Sequence, residues 1–312
     1  MESLAQKLAN GIEKTYSSKD GKPLFFGGEY SANDFADLFA IEEKDRDKFI
    51  KAFEIVVNGQ GHEQTKINSV RSSALLCLLT FFPLYLNEDT NTFIEIAEEQ
   101  YYKCFFEVRN KVITHNRPSC IDVVLVSTDR KTLLFLESKL SEYADDTSCR
   151  KSYGKSYIPL YENLKFISSH IKMGDSKDKL ILKSPDNSEK IYIDGIKQSI
   201  SHMIGLVRGP HKINQQEYID LYEKAETLIY GTILFDPKEF NVNTAEYDEY
   251  TELFKETIIS HGKEIQEEID KWDDGKHNQG KKIQVLQEVQ TYNDIFSKSN
   301  LPSDKVKDFY KL

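Results

Sequence analysis

Two unbroken apolar runs, Val123–Val126 and Leu133–Leu136, flank the polar stretch Ser127-Thr-Asp-Arg-Lys131. Short runs without alternation mark strands buried on both faces. The turn residues between them, centred near Asp129, predict a β-hairpin. Upstream, Val70–Leu86 and Thr92–Tyr102 read as helices, and Phe105–Ile113 reads as a strand leading into the hairpin. Downstream, Ile158–Ile171 predicts a helix and Gly174–Glu189, with Pro185, a charged loop. Ile196, Ile200, Met203, Ile204 and Val207 recur at helical spacing, and Thr227–Phe235 predicts another buried strand. Residues 1–65 are polar and mostly helical, with Ser31-Ala-Asn-Asp34 as an N-cap signal and Asn58-Gly-Gln-Gly61 as a break. Residues 237–312 read as an acidic, helix-rich tail. The pattern predicts an α/β protein whose mixed central sheet is flanked by helices. Its core spans residues 66–236, with a helical N-terminal region (1–65) and a helical C-terminal region (237–312) as additions.

Composition narrows this only slightly. In 312 residues, 39% hydrophobic and 12% aromatic content supports a sizeable core and argues against disorder. No apolar stretch approaches the twenty or so residues that a bilayer needs. Met1-Glu-Ser-Leu-Ala-Gln-Lys7 reads as the start of an amphipathic helix rather than a signal peptide. Cys77, Cys104, Cys120 and Cys149 form no Cys-x-x-Cys pair, so zinc ribbons and iron–sulfur clusters are unsupported. The expectation is a cytoplasmic protein with reduced thiols and no membrane partner. Phosphate-binding glycine loops and a nucleophile elbow are also missing, which disfavours nucleotide and serine-hydrolase chemistry.

The hairpin carries the chemistry. Asp122 opens its first strand and Glu137-Ser-Lys139 closes its second. A turn near Asp129 sets Asp122 opposite Glu137, where two like charges about 5 Å apart destabilise the pair. A hard divalent cation removes that penalty, because carboxylates and water suit Mg²⁺. Side chains alternate along a strand, so Lys139 shares a face with Glu137. Two carboxylates and an ammonium at one point suit metal-assisted phosphodiester hydrolysis. Acid-x-Lys alone is not specific, since Glu42-Glu-Lys44, Asp175-Ser-Lys177 and Asp236-Pro-Lys238 also fit it. None of those three closes an apolar run that follows a second run headed by Asp.

An acid, a hairpin and then Glu-x-Lys resembles the PD-(D/E)XK nuclease superfamily, the restriction-endonuclease-like fold. The wider resemblance covers roughly residues 70–236 and is closest to uncharacterised bacterial restriction-type nucleases. One departure is that Ile121 precedes Asp122, with the proline four positions back at Pro118. The resemblance implies that Asp122 and Glu137 bind Mg²⁺ (or Mn²⁺) and that Lys139 orients the water or stabilises developing charge. It also implies a further acid, for which Glu107 fits best ahead of Glu95, Glu98 and Glu99. From the helix that follows the hairpin it implies a Gln or Lys near the metal-bound water or the scissile phosphate, here Gln198. His202 lies four residues beyond Gln198 and reads more simply as a packing or hydrogen-bonding histidine. The implied activity is Mg²⁺-dependent DNA endonuclease action in restriction or defence against foreign DNA. Double-strand cleavage needs two sites, hence an expected homodimer. A catalytically silent nucleic-acid-binding or assembly module of the same fold is the alternative.

The net charge of −10 sits oddly with DNA as partner, but binding surfaces are local. Between Arg150 and Lys212 stand twelve basic residues against six acidic ones, interleaved with Tyr153, Tyr157 and Tyr161. Arg150, Lys151, Lys155 and Lys197 are the expected DNA contacts from this segment.

Overall fold

The computed structural model describes residues 7–8, 30–59, 66–112, 118–140, 163–164, 171–173, 180–182, 193–211, 215–240, 242, 244–271, 280–299, 301 and 303–310. Three helices come first: α1 (Ala32–Leu38), α2 (Arg46–Val57) and α3 (Ser73–Leu86). Ser31 and Asp34 cap α1 reciprocally in a capping box, as their spacing predicts. The Ser72 hydroxyl accepts the Leu75 N–H and starts α3, whose ten buried residues make it the most apolar helix described.

Four strands follow as an antiparallel meander: β1 (Ile94–Ile96), β2 (Glu99–Asn110), β3 (Ser119–Ser127) and β4 (Thr132–Lys139). The stretch Thr92–Tyr102 is therefore a hairpin and not a helix. Its turn residues Ala97 and Glu98 take φ of 51° and 67°. The β3–β4 turn falls where the polar residues place it. Asp129 Oδ1 accepts the Ser127 hydroxyl at 2.6 Å and the Lys131 N–H at 2.9 Å.

A separate two-stranded piece, β5 (Ile171–Met173) with β6 (Leu180–Leu182), puts strand within the segment expected to be a charged loop. The expected helix over Ile158–Ile171 falls almost wholly outside the described residues. Helices α4 (Ile193–Arg208) and α5 (Gln216–Lys224) then lead to strand β7 (Thr227–Leu234). β7 pairs in parallel with β4, from Thr132↔Thr227 to Lys139↔Leu234. The C-terminal region contributes α6 (Ala245–Phe254), the π-helical segment Lys255–Ile259 and α7 (Gly262–Asp270). It goes on to strands β8 (Lys282–Val285) and β9 (Gln290–Thr291), then α8 (Tyr292–Lys298) and α9 (Asp304–Tyr310). β8 and β9 run parallel along the outer edge of β7, so the expected helical tail also completes the sheet.

Among the described residues, the sheet order is β1-β2-β3-β4-β7-β8, with β9 also on β7. This is an α/β architecture with a mixed, largely antiparallel central sheet between two helical layers. Val123, Leu125, Leu134 and Leu136 point into the core shared with α1–α3, α8 and α9. Val124, Val126, Leu133 and Phe135 point into the core shared with α4, α5 and α7. Both apolar runs thus serve two cores, which is why neither alternates with polar residues. Among the described residues no helix is long and apolar enough to cross a membrane.

Candidate active site

The sheet opens at one point, and the acidic residues gather there. The β3–β4 ladder ends at Val123↔Leu136. Continuing its register sets Asp122 against Glu137, as the sequence predicts, but the strands no longer pair there through their backbones. Instead the Asp122 carboxylate accepts the Ser138 N–H at 2.7 Å. β4 itself stays in place, since its parallel ladder with β7 continues through Glu137↔Thr232 and Lys139↔Leu234.

The cause lies partly in β2. Phe105 and Val108 face the same core three residues apart, and so do Ile121 and Val124. Residues three apart on a regular strand face opposite sides. Both strands therefore break their alternation, at Glu107 and at Asp122. These two face each other between the pairs Phe106↔Val123 and Val108↔Ile121. Glu107 makes the break in the left-handed region, φ 50°, a conformation that costs a non-glycine residue on the order of 1–3 kcal/mol. It lies near the end of β2, whereas a strand over Phe105–Ile113 would have put it near the start. Its carboxylate accepts the Cys120 thiol at 2.9 Å. The end of α2 closes over it, because a Cβ on Gly59 would lie 2.2 Å from Glu107 Oε2.

Glu137 is the most enclosed of the three acids, 5% exposed. Its Oε1 accepts Lys139 Nζ at 2.6 Å, with both side chains nearly buried. Of the look-alike motifs, Asp175-Ser-Lys177 lies outside the described residues and the other two differ in kind. Lys44–Glu42 is a solvent-exposed pair at 2.7 Å, and Lys238–Asp236 is a longer one at 3.4 Å with an exposed lysine. The other carboxylate oxygen, Glu137 Oε2, lies 3.0 Å from His202 Nε2 on α4. The angle leaves both atoms without a well-directed hydrogen bond. On its far side, His202 Nδ1 is hydrogen-bonded to the Ser119 hydroxyl at the start of β3.

The two facing acids are pushed in opposite directions. Burial raises the Asp122 carboxyl well above its ordinary value, and the Glu137 and Glu107 charges raise it further against the pull of Lys139 and the Ser138 N–H. Burial pushes Glu137 the same way, but Lys139 and His202 outweigh it and hold the carboxyl at about 2. A cation fits this environment. Asp122 carries an excess of neighbouring negative charge, and Glu137 Oε2 is a buried oxygen without a directed donor. Hard oxygen donors of this kind suit Mg²⁺, which commonly takes only one or two carboxylates and completes its shell with water and phosphate oxygens. Among the described residues no three His, Cys, Asp or Glu side chains form a metal-binding group.

No known family model, curated protein or solved structure matches the chain.

Four of the expected site residues, Glu107, Asp122, Glu137 and Lys139, come together. Gln198 lies on α4, half-buried and one turn before His202. On that helix it is His202 that reaches Glu137. Lys197 also lies on α4, while Arg150, Lys151 and Lys155 fall outside the described residues. Ser119 and Cys120 escape sequence reasoning, since nothing local marks a serine and a thiol at a strand start as partners of distant acids. His202 carried a faint signal: a histidine on an amphipathic helix whose apolar stripe faces the strands.

Proposed function

We propose that the chain is a Mg²⁺-dependent DNA endonuclease with a restriction-endonuclease-like core, acting in restriction or defence against foreign DNA. One observation carries this reading: Asp122, Glu137 and Lys139 meet where β3 leaves β4, and their charges act on one another there. Asp122 and Glu137 would hold the cation. When bound, it would polarise a phosphoryl oxygen and lower the pKa of a coordinated water. Lys139 brings a fixed positive charge to the same place, suited to the charge that accumulates on a phosphate in the transition state. Glu107 adds negative charge behind Asp122 and raises the site's affinity for a cation. The mixed sheet between two helical layers supports the fold assignment. DNA is the partner this chemistry calls for, with the basic segment around Arg150, Lys151, Lys155 and Lys197 as its contact, and two copies would act on the two strands of a duplex. The cytoplasm is where such an enzyme meets foreign DNA.

A silent binding or assembly module is the second reading. It draws on the Lys139–Glu137 hydrogen bond, which serves equally well as a buried structural ion pair. Incubating the protein with plasmid DNA and Mg²⁺ or Mn²⁺, beside Lys139→Ala, separates the two. The nuclease reading expects cleavage by the wild type and at least a hundredfold loss in the variant, the usual scale for losing one transition-state donor. DNA affinity measured with Ca²⁺ should fall only modestly in the same variant, because the ammonium acts mainly on the transition state. No cleavage of plasmid, phage or RNA substrates by the wild type would favour the silent module.

A further inference from the structure

The two strands that carry Asp122 and Glu137 separate just where both acids are needed, so something besides the ladder must fix their relative position. On one side Asp122 reaches across to the Ser138 N–H. On the other a three-residue chain spans the gap: Ser119 Oγ to His202 Nδ1, and His202 Nε2 to Glu137 Oε2 at 3.0 Å. Ser119 stands three residues before Asp122 on β3, while Glu137 stands on β4. His202 therefore ties together the segments that present the two acids.

The seat of His202 is built. The imidazole is 5% exposed and Ser119 is 6% exposed. The Tyr230 ring from β7 lies against the imidazole at 6.0 Å between centroids, and its hydroxyl donates to Ser199 Oγ on α4 at 3.0 Å. One turn along α4, Gly205 lets the helix approach the strands. A Cβ there would lie 2.9 Å from Asn110 Cβ and 3.5 Å from Ser119 Oγ. Glycine in a helix interior costs up to about 1 kcal/mol relative to alanine, and here it permits a close approach that brings His202 within reach of both partners.

We infer that His202, held by Ser119, is a positioning residue that sets the orientation of the Glu137 carboxylate toward the cation. The inference rests on the nuclease reading and deepens it. When the Ser119 O–H donates to Nδ1, Nε2 carries the hydrogen that faces Glu137. The poor alignment of the Nε2 contact leaves room for it to tighten when the carboxylate turns to a ligand, as hydrogen bonds at such sites do. Residues that hydrogen-bond a metal-ligating group usually contribute ten- to a hundredfold in metal affinity.

Two substitutions separate positioning from packing. His202→Gln can place an amide N–H near the Nε2 position, whereas His202→Asn reaches only as far as Nδ1 and loses Glu137. Mn²⁺ affinity is measured by calorimetry on the full chain, together with metal-free thermal melts and the kcat and KM of plasmid cleavage. His202→Asn and Ser119→Ala are expected to weaken Mn²⁺ binding about ten- to a hundredfold. His202→Gln should stay within a few-fold of wild type, and DNA KM should hardly change. If His202→Asn fails to fold, Ser119→Ala, which deletes one oxygen, carries the test. Equal Mn²⁺ affinity in the wild type and in folded His202→Asn or Ser119→Ala would overturn the positioning role and leave the nuclease reading standing. A wild-type protein that binds no Mn²⁺ would overturn both.

Discussion

Asp122 and Glu137 share a site yet should respond oppositely to losing their charge. The folded state holds the Asp122 carboxyl above its ordinary value because of burial and the adjacent acids. Between the unfolded and folded values the native state binds the extra proton, so this group's contribution to stability falls as pH rises through that window. Glu137 is depressed from 4.5 to about 2 despite its burial, through Lys139 and His202. Its contribution is fully present above 4.5 and is lost as pH falls toward 2. At neutral pH, Asp122→Asn should therefore raise the metal-free melting temperature by a few degrees, since its amide oxygen can still accept the Ser138 N–H. Glu137→Gln should lower stability by about 1.5–3 kcal/mol, the usual worth of a hydrogen bond to a charged group, because it removes the carboxylate to which Lys139 Nζ donates. Thermal melts from pH 4 to 8 check both. The gap between Asp122→Asn and wild type should widen with rising pH, and a constant gap would refute the assigned charge state. Mn²⁺ should stabilise the wild type and not Asp122→Asn, since a ligand that binds only the folded state raises its stability by mass action.

At the scale of elements, legibility depended on whether a signal was local. The β3–β4 hairpin was readable because its strands are continuously apolar and Asp129 sits in the turn. Helix α4 was readable from its apolar stripe, and β7 from its run of apolar residues. The β1–β2 hairpin was not, because its turn uses Ala97 and Glu98 at φ of 51° and 67°. Such turns normally carry Asn-Gly or Asp-Gly, and without them Thr92–Tyr102 resembles a helix studded with glutamates. The break at Glu107 was hidden for the same reason, since nothing in a strand sequence marks a non-glycine residue for positive φ. Each such residue stores strain that glycine would relieve. Glu98→Gly should accordingly stabilise the fold by up to about 1–2 kcal/mol, the cost of placing a Cβ in the left-handed region. A chemical-denaturation midpoint that stays put or falls would mean that the Glu98 side chain contributes more than its backbone costs. Glu107→Gly is not equivalent, because it removes the carboxylate that accepts the Cys120 thiol.

At the scale of the whole molecule, the C-terminal region read as an appendage turns out to be part of the sheet. Short strands such as Lys282–Val285 and Gln290–Thr291 carry too little pattern to announce themselves, and their pairing with β7 is set by contacts more than fifty residues away. Val285 and Leu286 are buried against the sheet, with Leu286 filling the space that Gly231 leaves on β7. Behind the site, the Tyr292 hydroxyl of α8 meets Ser138 Oγ at 2.6 Å, and Ser138 Oγ also bonds the Ser73 carbonyl of α3 at 3.1 Å. The backbone N–H of that same serine is the one that Asp122 accepts. The C-terminal region thus buttresses the strand end that presents Glu137 and Lys139. A chain ended after residue 236 should expose the edge of β7 and the apolar surface beneath α8 and α9. It should lose its cooperative melt and aggregate rather than behave as a smaller folded core. Tyr292→Phe is the gentler form of the same test. It removes the Tyr292 hydrogen bond to Ser138 Oγ, at a cost of about 0.5–1.5 kcal/mol because that hydroxyl keeps the Ser73 carbonyl, and should weaken Mn²⁺ stabilisation along with it. If the shortened chain instead melted cooperatively and kept its metal response, the site would belong to the antiparallel strands and β7 alone, and the parallel edge would be dispensable.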